Sequence, residues 1–213
     1  MNLINLRTYS LFFGIVFANL ILTLSLNYLL VSDNLIFNEY SSQLSFERIT
    51  ELIESNKKYK YITFLLVPLI YLIKFSSVAL FLTIGNFFLK DKLEFKKIFK
   101  VVIICEIVFL IPIIIKIFWF LFVQTDYSLG NLKSFSPLSL INFFELDKIE
   151  KWVRYPLRLF NIFEIIYCFF LAFNLKDALS ISLQNAFLVV ITSYGSAILL
   201  WVVFITFLSL NAA

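Results

Sequence analysis

The sequence predicts an all-α polytopic membrane protein, a bundle of five transmembrane helices with short interfacial helices in its first and third loops. Three observations predict it. Five apolar runs each reach the roughly 20 residues that a bilayer core requires, and the first four are each followed by a polar, charge-bearing segment. The chain is 61% hydrophobic and only 15% charged, with a mean hydropathy of +0.93, well outside the range of soluble domains. No repeat, low-complexity tract or long flexible linker divides residues 1–213, which therefore read as a single membrane domain.

The first run, residues 11–31, is longer than a signal-peptide core and no small-x-small cleavage site follows it, so it reads as a retained helix. Gly14 and Ala18, four apart, predict close packing of this helix against another. In the first loop Phe46, Ile49, Leu52 and Ile53 recur at helical spacing, with Ser45 as the N-cap and Glu47 near the positive helix end. This predicts a short amphipathic helix that ends at Asn56-Lys57-Lys58 and lies in the headgroup plane, or serves as a docking surface for a partner. The second run, 61–89, holds Pro68 and, near its middle, Lys74, and its excess length predicts a tilt or a kink.

The third run, 101–123, holds Glu106, Pro112 and Lys116. In the following link Ser136-Pro137 signals a helix start, and Leu146, Ile149, Trp152 and Val153 form one stripe, again an interfacial pattern. The fourth run, 156–175, opens with Pro156 as a first-turn proline and places Arg158 near its start and Glu164 in mid-span. The fifth, 186–210, gathers small residues around Ser193, Gly195 and Ala197, a helix-packing pattern.

Composition argues against catalysis. Histidine is absent, which removes the commonest general base, proton relay and imidazole metal ligand. Cys105 and Cys168 both fall inside apolar runs, without a CxxC or metal-ligand spacing, and read as inert thiols. No GxSxG, P-loop, HExxH or dinucleotide glycine pattern occurs among the four glycines. The expectation is a chain that is not an enzyme and carries no cofactor or metal. The net charge of +4 is modest and concentrated, so nucleic acid is not an expected partner.

Five lysines crowd into Lys90 to Lys100 against only Asp91 and Glu94, whereas the opposite loops mix cations with acids. The lysine loop marks the cytoplasmic side, which predicts a cell inner (plasma) membrane protein with its N-terminus cytoplasmic and its C-terminus outside. Within the runs, Lys74, Glu106, Lys116 and Glu164 are costly in lipid, so each should pair, face protein or line a water path. Depth pairs Glu164 with Lys74 or Lys116, and Glu106 with Lys97 or Lys100, as structural ion pairs that fix helix register.

Two stretches resemble the Yip family, the Ypt-interacting proteins. One is Asp91-Lys92-Leu93-Glu94-Phe95-Lys96-Lys97-Ile98-Phe99-Lys100-Val101-Val102, similar to the family's polar turn and basic lead-in to a span. The other runs from Glu164-Ile165-Ile166-Tyr167 through Leu175-Lys176-Asp177-Ala178-Leu179 to Ser193-Tyr194-Gly195, similar to its last helix pair. The resemblance covers roughly residues 61–210 and implies five membrane helices and bacterial relatives. Function is then expected to be that of a non-catalytic scaffold or accessory subunit of a larger membrane complex, in contact with the lipid bilayer and other membrane proteins. Its partner-facing surfaces would be Phe46, Ile49, Leu52, Ile53 and Trp152. The alternative is a small permease or transporter subunit with a polar path along Lys74, Lys116 and Glu164.

Overall fold

The computed structural model describes residues 7–90, 93–145 and 148–211. Among them the regular structure is entirely helical, with no strand and only an isolated bridge between Ser139 and Asn161. Asp91, Lys92, Leu146 and Asp147, which figure in the lysine loop and the third-loop stripe, lie outside the described residues. Four helical stretches are long and apolar enough to cross a membrane: Thr8–Leu30, Phe64–Leu89, Phe95–Val123 and Leu183–Asn211. They make the chain compatible with a membrane protein.

In chain order the helices are α1 (Thr8–Leu30), α2 (Asp33–Tyr40), α3 (Phe46–Lys90), α4 (Phe95–Cys105) and α5 (Leu110–Phe118). They continue with α6 (Leu129–Ser134), α7 (Lys151–Leu159), α8 (Ile162–Leu179), α9 (Leu183–Val189) and α10 (Ser196–Asn211). Two departures from the sequence reading stand out. The amphipathic segment at 45–56 is not a separate interfacial helix: it runs unbroken into the second apolar run as the 45-residue α3. Neither Gly nor Pro occurs between Phe46 and Val67, and nothing at Asn56-Lys57-Lys58 removes a backbone hydrogen bond, so the helix propagates.

The fourth run is divided. Pro156 sits inside α7 rather than opening the span, and α7 ends at Phe160. Asn161 then caps α8, its side-chain oxygen accepting from the Glu164 amide at 2.9 Å. The amide of Asn161 donates to the carbonyls of Arg158 and Leu159, closing the end of α7 as it opens α8. The preceding loop braces this break: Ser139 Oγ donates to the Leu157 and Arg158 carbonyls, and Ile162 N donates to the carbonyl of Leu138. Leu138 holds a left-handed φ of 53°, a strained position for a branched side chain, and Pro137 starts no helix. Glu164 therefore lies in the first turn of α8, not in mid-span, where the positive helix end favours a carboxylate.

The chain forms two compact units. The first comprises Met1–Ile15, Leu72–Phe109 and Ser136–Ala213. Its centre is α8 packed against α4 and α9, with α7 lying on α10. Phe163, Tyr167, Leu171, Leu175 and Leu179 recur every fourth residue along the buried face of α8, and Val101, Val102 and Ile104 of α4, which packs against it, are buried as well. In lipid this contact is held by van der Waals packing, because acyl chains are as apolar as leucine. By contrast, α10 buries no residue.

The second unit comprises Val16–Tyr71 and Leu110–Phe135. Ser128 and Asn131 form a capping box that starts α6, and Leu30, Phe120, Leu129 and Leu132 make its core. Tyr127 donates its hydroxyl to the last carbonyl of α1, that of Leu30, at 3.0 Å. Burial pushes the Tyr127 phenol above its ordinary range. At the start of α2, Asp33 pairs with Lys57 of α3 at 2.7 Å.

Candidate functional site

Two departures from α-helical geometry in the first unit bring polar side chains together. The third span tightens into a 3₁₀ turn over Glu106–Phe109. Pro112 explains it: the ring offers no N–H to the carbonyl of Val108 and crowds it, so the turn before the proline cannot stay α. The apolar stretch Leu183–Asn211 widens into a π turn over Val190–Gly195, which holds Ser193 and Tyr194. The 3₁₀ turn presents Glu106 and Phe109, and the π turn presents Tyr194.

Lys74 of α3 forms an ion pair with Glu106, and its ammonium also lies over the Phe109 ring, 4.7 Å from the centroid. Phe109 in turn meets Tyr167 of α8 at 4.8 Å between centroids, and Tyr167 meets Tyr194 at 5.3 Å. Tyr194 donates its hydroxyl to Glu164 at 2.5 Å. Glu164 lies within Coulombic reach of both Lys74 and Glu106. One ammonium, two carboxylates and two phenols thus form a contiguous cluster walled by aromatic rings.

Counted from the helix ends at Leu89, Phe95, Leu179 and Leu183, these polar residues lie eleven to fifteen positions in. At a 1.5 Å rise that is about 16 to 23 Å from those ends, although Glu164, in the first turn of α8, lies close to the opposite end of its own helix. Glu106 is sealed at 1% exposure, whereas the Lys74 side chain remains 45% exposed. The second carboxylate oxygen of Glu106 and the hydroxyl of Tyr167 have no hydrogen-bond partner among the described residues.

Three of the four charged residues singled out in the sequence therefore meet here, with partners exchanged. Lys74 bonds Glu106, not Glu164, while Glu164 takes its hydrogen bond from a tyrosine. Lys97, expected on Glu106, instead pairs with Glu94 at 3.0 Å. Lys116 belongs to the second unit. Sequence reasoning missed Tyr167 and Tyr194, although both carry a hydroxyl into an apolar run and the 30-residue separation of Glu164 and Tyr194 fits two consecutive antiparallel helices.

The small residues divide as well. A Cβ on Gly85 would fall 1.8 Å from Ser193 Oγ, so α3 and the π turn touch backbone to side chain at this point. Beside the contact Ser193, Ser196 and Ala197 line a groove of about 430 Å³. Gly195 meets only the Val190 carbonyl of its own turn, at 4.0 Å. Gly14 faces open space, and Ala18 is half-buried.

Of the first-loop stripe, Ile49 is fully buried, Ile53 is half-buried and Phe46 and Leu52 are exposed, as is Trp152. In the second unit Asn19, Thr23 and Asn27, spaced four apart on α1, line a half-open cavity of about 460 Å³ with Asp33, Lys57 and Tyr71. Thr23 donates to Asn19 at 3.3 Å. That polar stripe was legible in the first run and passed unread beside Gly14 and Ala18.

No family model matches the chain, and comparison with curated proteins and with solved structures finds no match. Fold and site together define an all-helical chain with apolar helices of membrane-spanning length and a polar cluster within its first unit.

Proposed function

We propose that the chain is a five-span integral membrane protein that acts, without covalent chemistry, as an accessory or scaffold subunit of a larger membrane assembly. The observation that carries this is the Lys74 side chain, 45% exposed about 22 Å into its span while bound to a sealed glutamate. An ammonium at that depth is expensive against lipid, so its 45% exposed surface favours a neighbouring helix over acyl chains. The apolar outer face of α10, which buries nothing within the chain, adds surface for such a neighbour.

In this reading α8 is the remaining span. It is 18 residues long, about 27 Å, and crosses behind the cover of α4 and α9 despite Glu164, Lys176 and Asp177. Kinship with the Yip family is part of the same proposal and rests on the residues quoted for it, of which Glu164, Tyr167 and Tyr194 form the polar centre. Placement in a bacterial inner membrane with Lys96, Lys97 and Lys100 on the cytoplasmic face follows from their density.

A photo-crosslinking residue at Ile73, beside Lys74 and 59% exposed, tests the assembly reading in intact membranes. The expected product is a discrete adduct to one membrane protein that also co-purifies in mild detergent. Adducts to lipid alone would sink it.

A further inference from the structure

We propose that the cluster of Glu106, Glu164 and Tyr167 is a binding site for one small monovalent cation, held opposite Lys74. Lys74 supplies one positive charge, and two carboxylates, Glu106 and Glu164, share its surroundings. An uncompensated carboxylate at membrane depth is costly by several kcal/mol in order of magnitude, so the second negative charge calls for a second positive one.

The titratable groups that face the cluster come from four elements. From α3 comes Lys74; from the third span, Glu106 and the Cys105 thiol beside it; from α8, Glu164, Tyr167 and Cys168; from the π turn, Tyr194. None of these adds a cation beyond Lys74. Tyr194 has already committed its proton to Glu164.

Hydrogen bonding points to the same place independently. One carboxylate oxygen of Glu106 takes Lys74 and the other takes nothing among the described residues. The Tyr167 hydroxyl, on a residue 1% exposed and within Coulombic reach of both glutamates, likewise has no partner there. A carboxylate oxygen and a phenol oxygen left open supply two of the oxygen ligands that a hard cation prefers. A proton carried by one of the two carboxyls would meet the same charge demand, and the Tyr167 oxygen could accept from it. The site stands whether or not the assembly reading does, because all of its ligands come from this chain.

The test uses the full chain in lipid nanodiscs, with sodium exchanged for N-methylglucamine at constant ionic strength, at mildly acidic and mildly alkaline pH. Two signals are read: the melting temperature, and labelling by dicyclohexylcarbodiimide, which modifies a protonated carboxyl in apolar surroundings and is located by mass spectrometry. If the ion is sodium, saturating sodium raises Tm by on the order of 5 °C at alkaline pH and suppresses labelling of Glu106 and Glu164. If it is a proton, Tm ignores sodium, and one of these two glutamates is labelled selectively, more strongly at acidic pH. Glu164→Gln removes either response, and Tyr167→Phe, a milder change, weakens it at least threefold in apparent affinity. A wild-type chain that neither responds to sodium nor labels at Glu106 or Glu164 overturns the proposal, and that result leaves the Ile73 crosslinking untouched.

Discussion

Tyr194 reaches Glu164 across two helices because a π turn carries it: the hydroxyl donates at 2.5 Å from a segment, Val190–Gly195, whose extra residue re-aims the side chain. The acceptor is placed just as locally, in the first turn of α8 behind the Asn161 cap. Two small breaks in helical regularity thus set one buried hydrogen bond.

Tyr194→Phe should lower the unfolding free energy by about 1.5 to 3 kcal/mol, the range for a bond to a charged group. Glu164→Gln, which keeps an acceptor oxygen, should cost less. Equilibrium unfolding in mixed micelles checks both, and equal losses would show that the hydroxyl contributes through packing alone.

The ion pair between Lys74 and Glu106 predicts a non-additive series. Lys74→Met leaves the sealed glutamate without its cation and should cost about 3 to 5 kcal/mol. Adding Glu106→Gln should recover most of that loss. A double-mutant cycle with no coupling energy would contradict the pairing.

Gly85→Ala should destabilise by about 1 to 3 kcal/mol, since the new methyl falls on Ser193 Oγ. Combining it with Ser193→Ala should restore at least half, because the clashing atom is then gone. Thermal melts of the two single variants and the double variant measure this directly.

At the end of α1, the raised Tyr127 phenol gives a pH dependence with a definite sign. A phenol that ionises later in the folded state than in the unfolded chain adds stability that is complete below the ordinary tyrosine range. That stability is lost as pH climbs through the folded value. Tyr127→Phe should remove about 1 kcal/mol at neutral pH and flatten the alkaline decline. An unchanged alkaline limb in the variant would assign that decline to other groups.

Much of this architecture was legible in the sequence because lipid length and apolar content are nearly one-dimensional signals. Four of the expected runs appear as membrane-length helices, and Pro112 announces the 3₁₀ turn that follows from its missing N–H. The division of the fourth run was harder to read. Asn161 looks like an ordinary polar residue in an apolar stretch until the carbonyls of Arg158 and Leu159 and the loop at Ser139 are seen to converge on it.

The pairing of charges failed for a related reason. Depth counted along straight helices put Glu164 in mid-span, and the cap moved it to a helix start. Sequence depth ranks residues along one helix only. Which of two glutamates takes Lys74 depends on rotation about each axis, and the 3₁₀ and π turns alter that rotation.

The unbroken α3 has a mechanical side. Residues 46–63 extend α3 about 27 Å ahead of the apolar stretch that begins at Phe64. A rod held over part of its length is a lever: a small change of tilt in the lipid becomes a large sweep at Phe46. Bilayer thickness, which sets tilt, would thereby be converted into position at the polar end of the helix. A pair of spectroscopic labels near Phe46 and Leu69 would report that gearing as the acyl chains are lengthened.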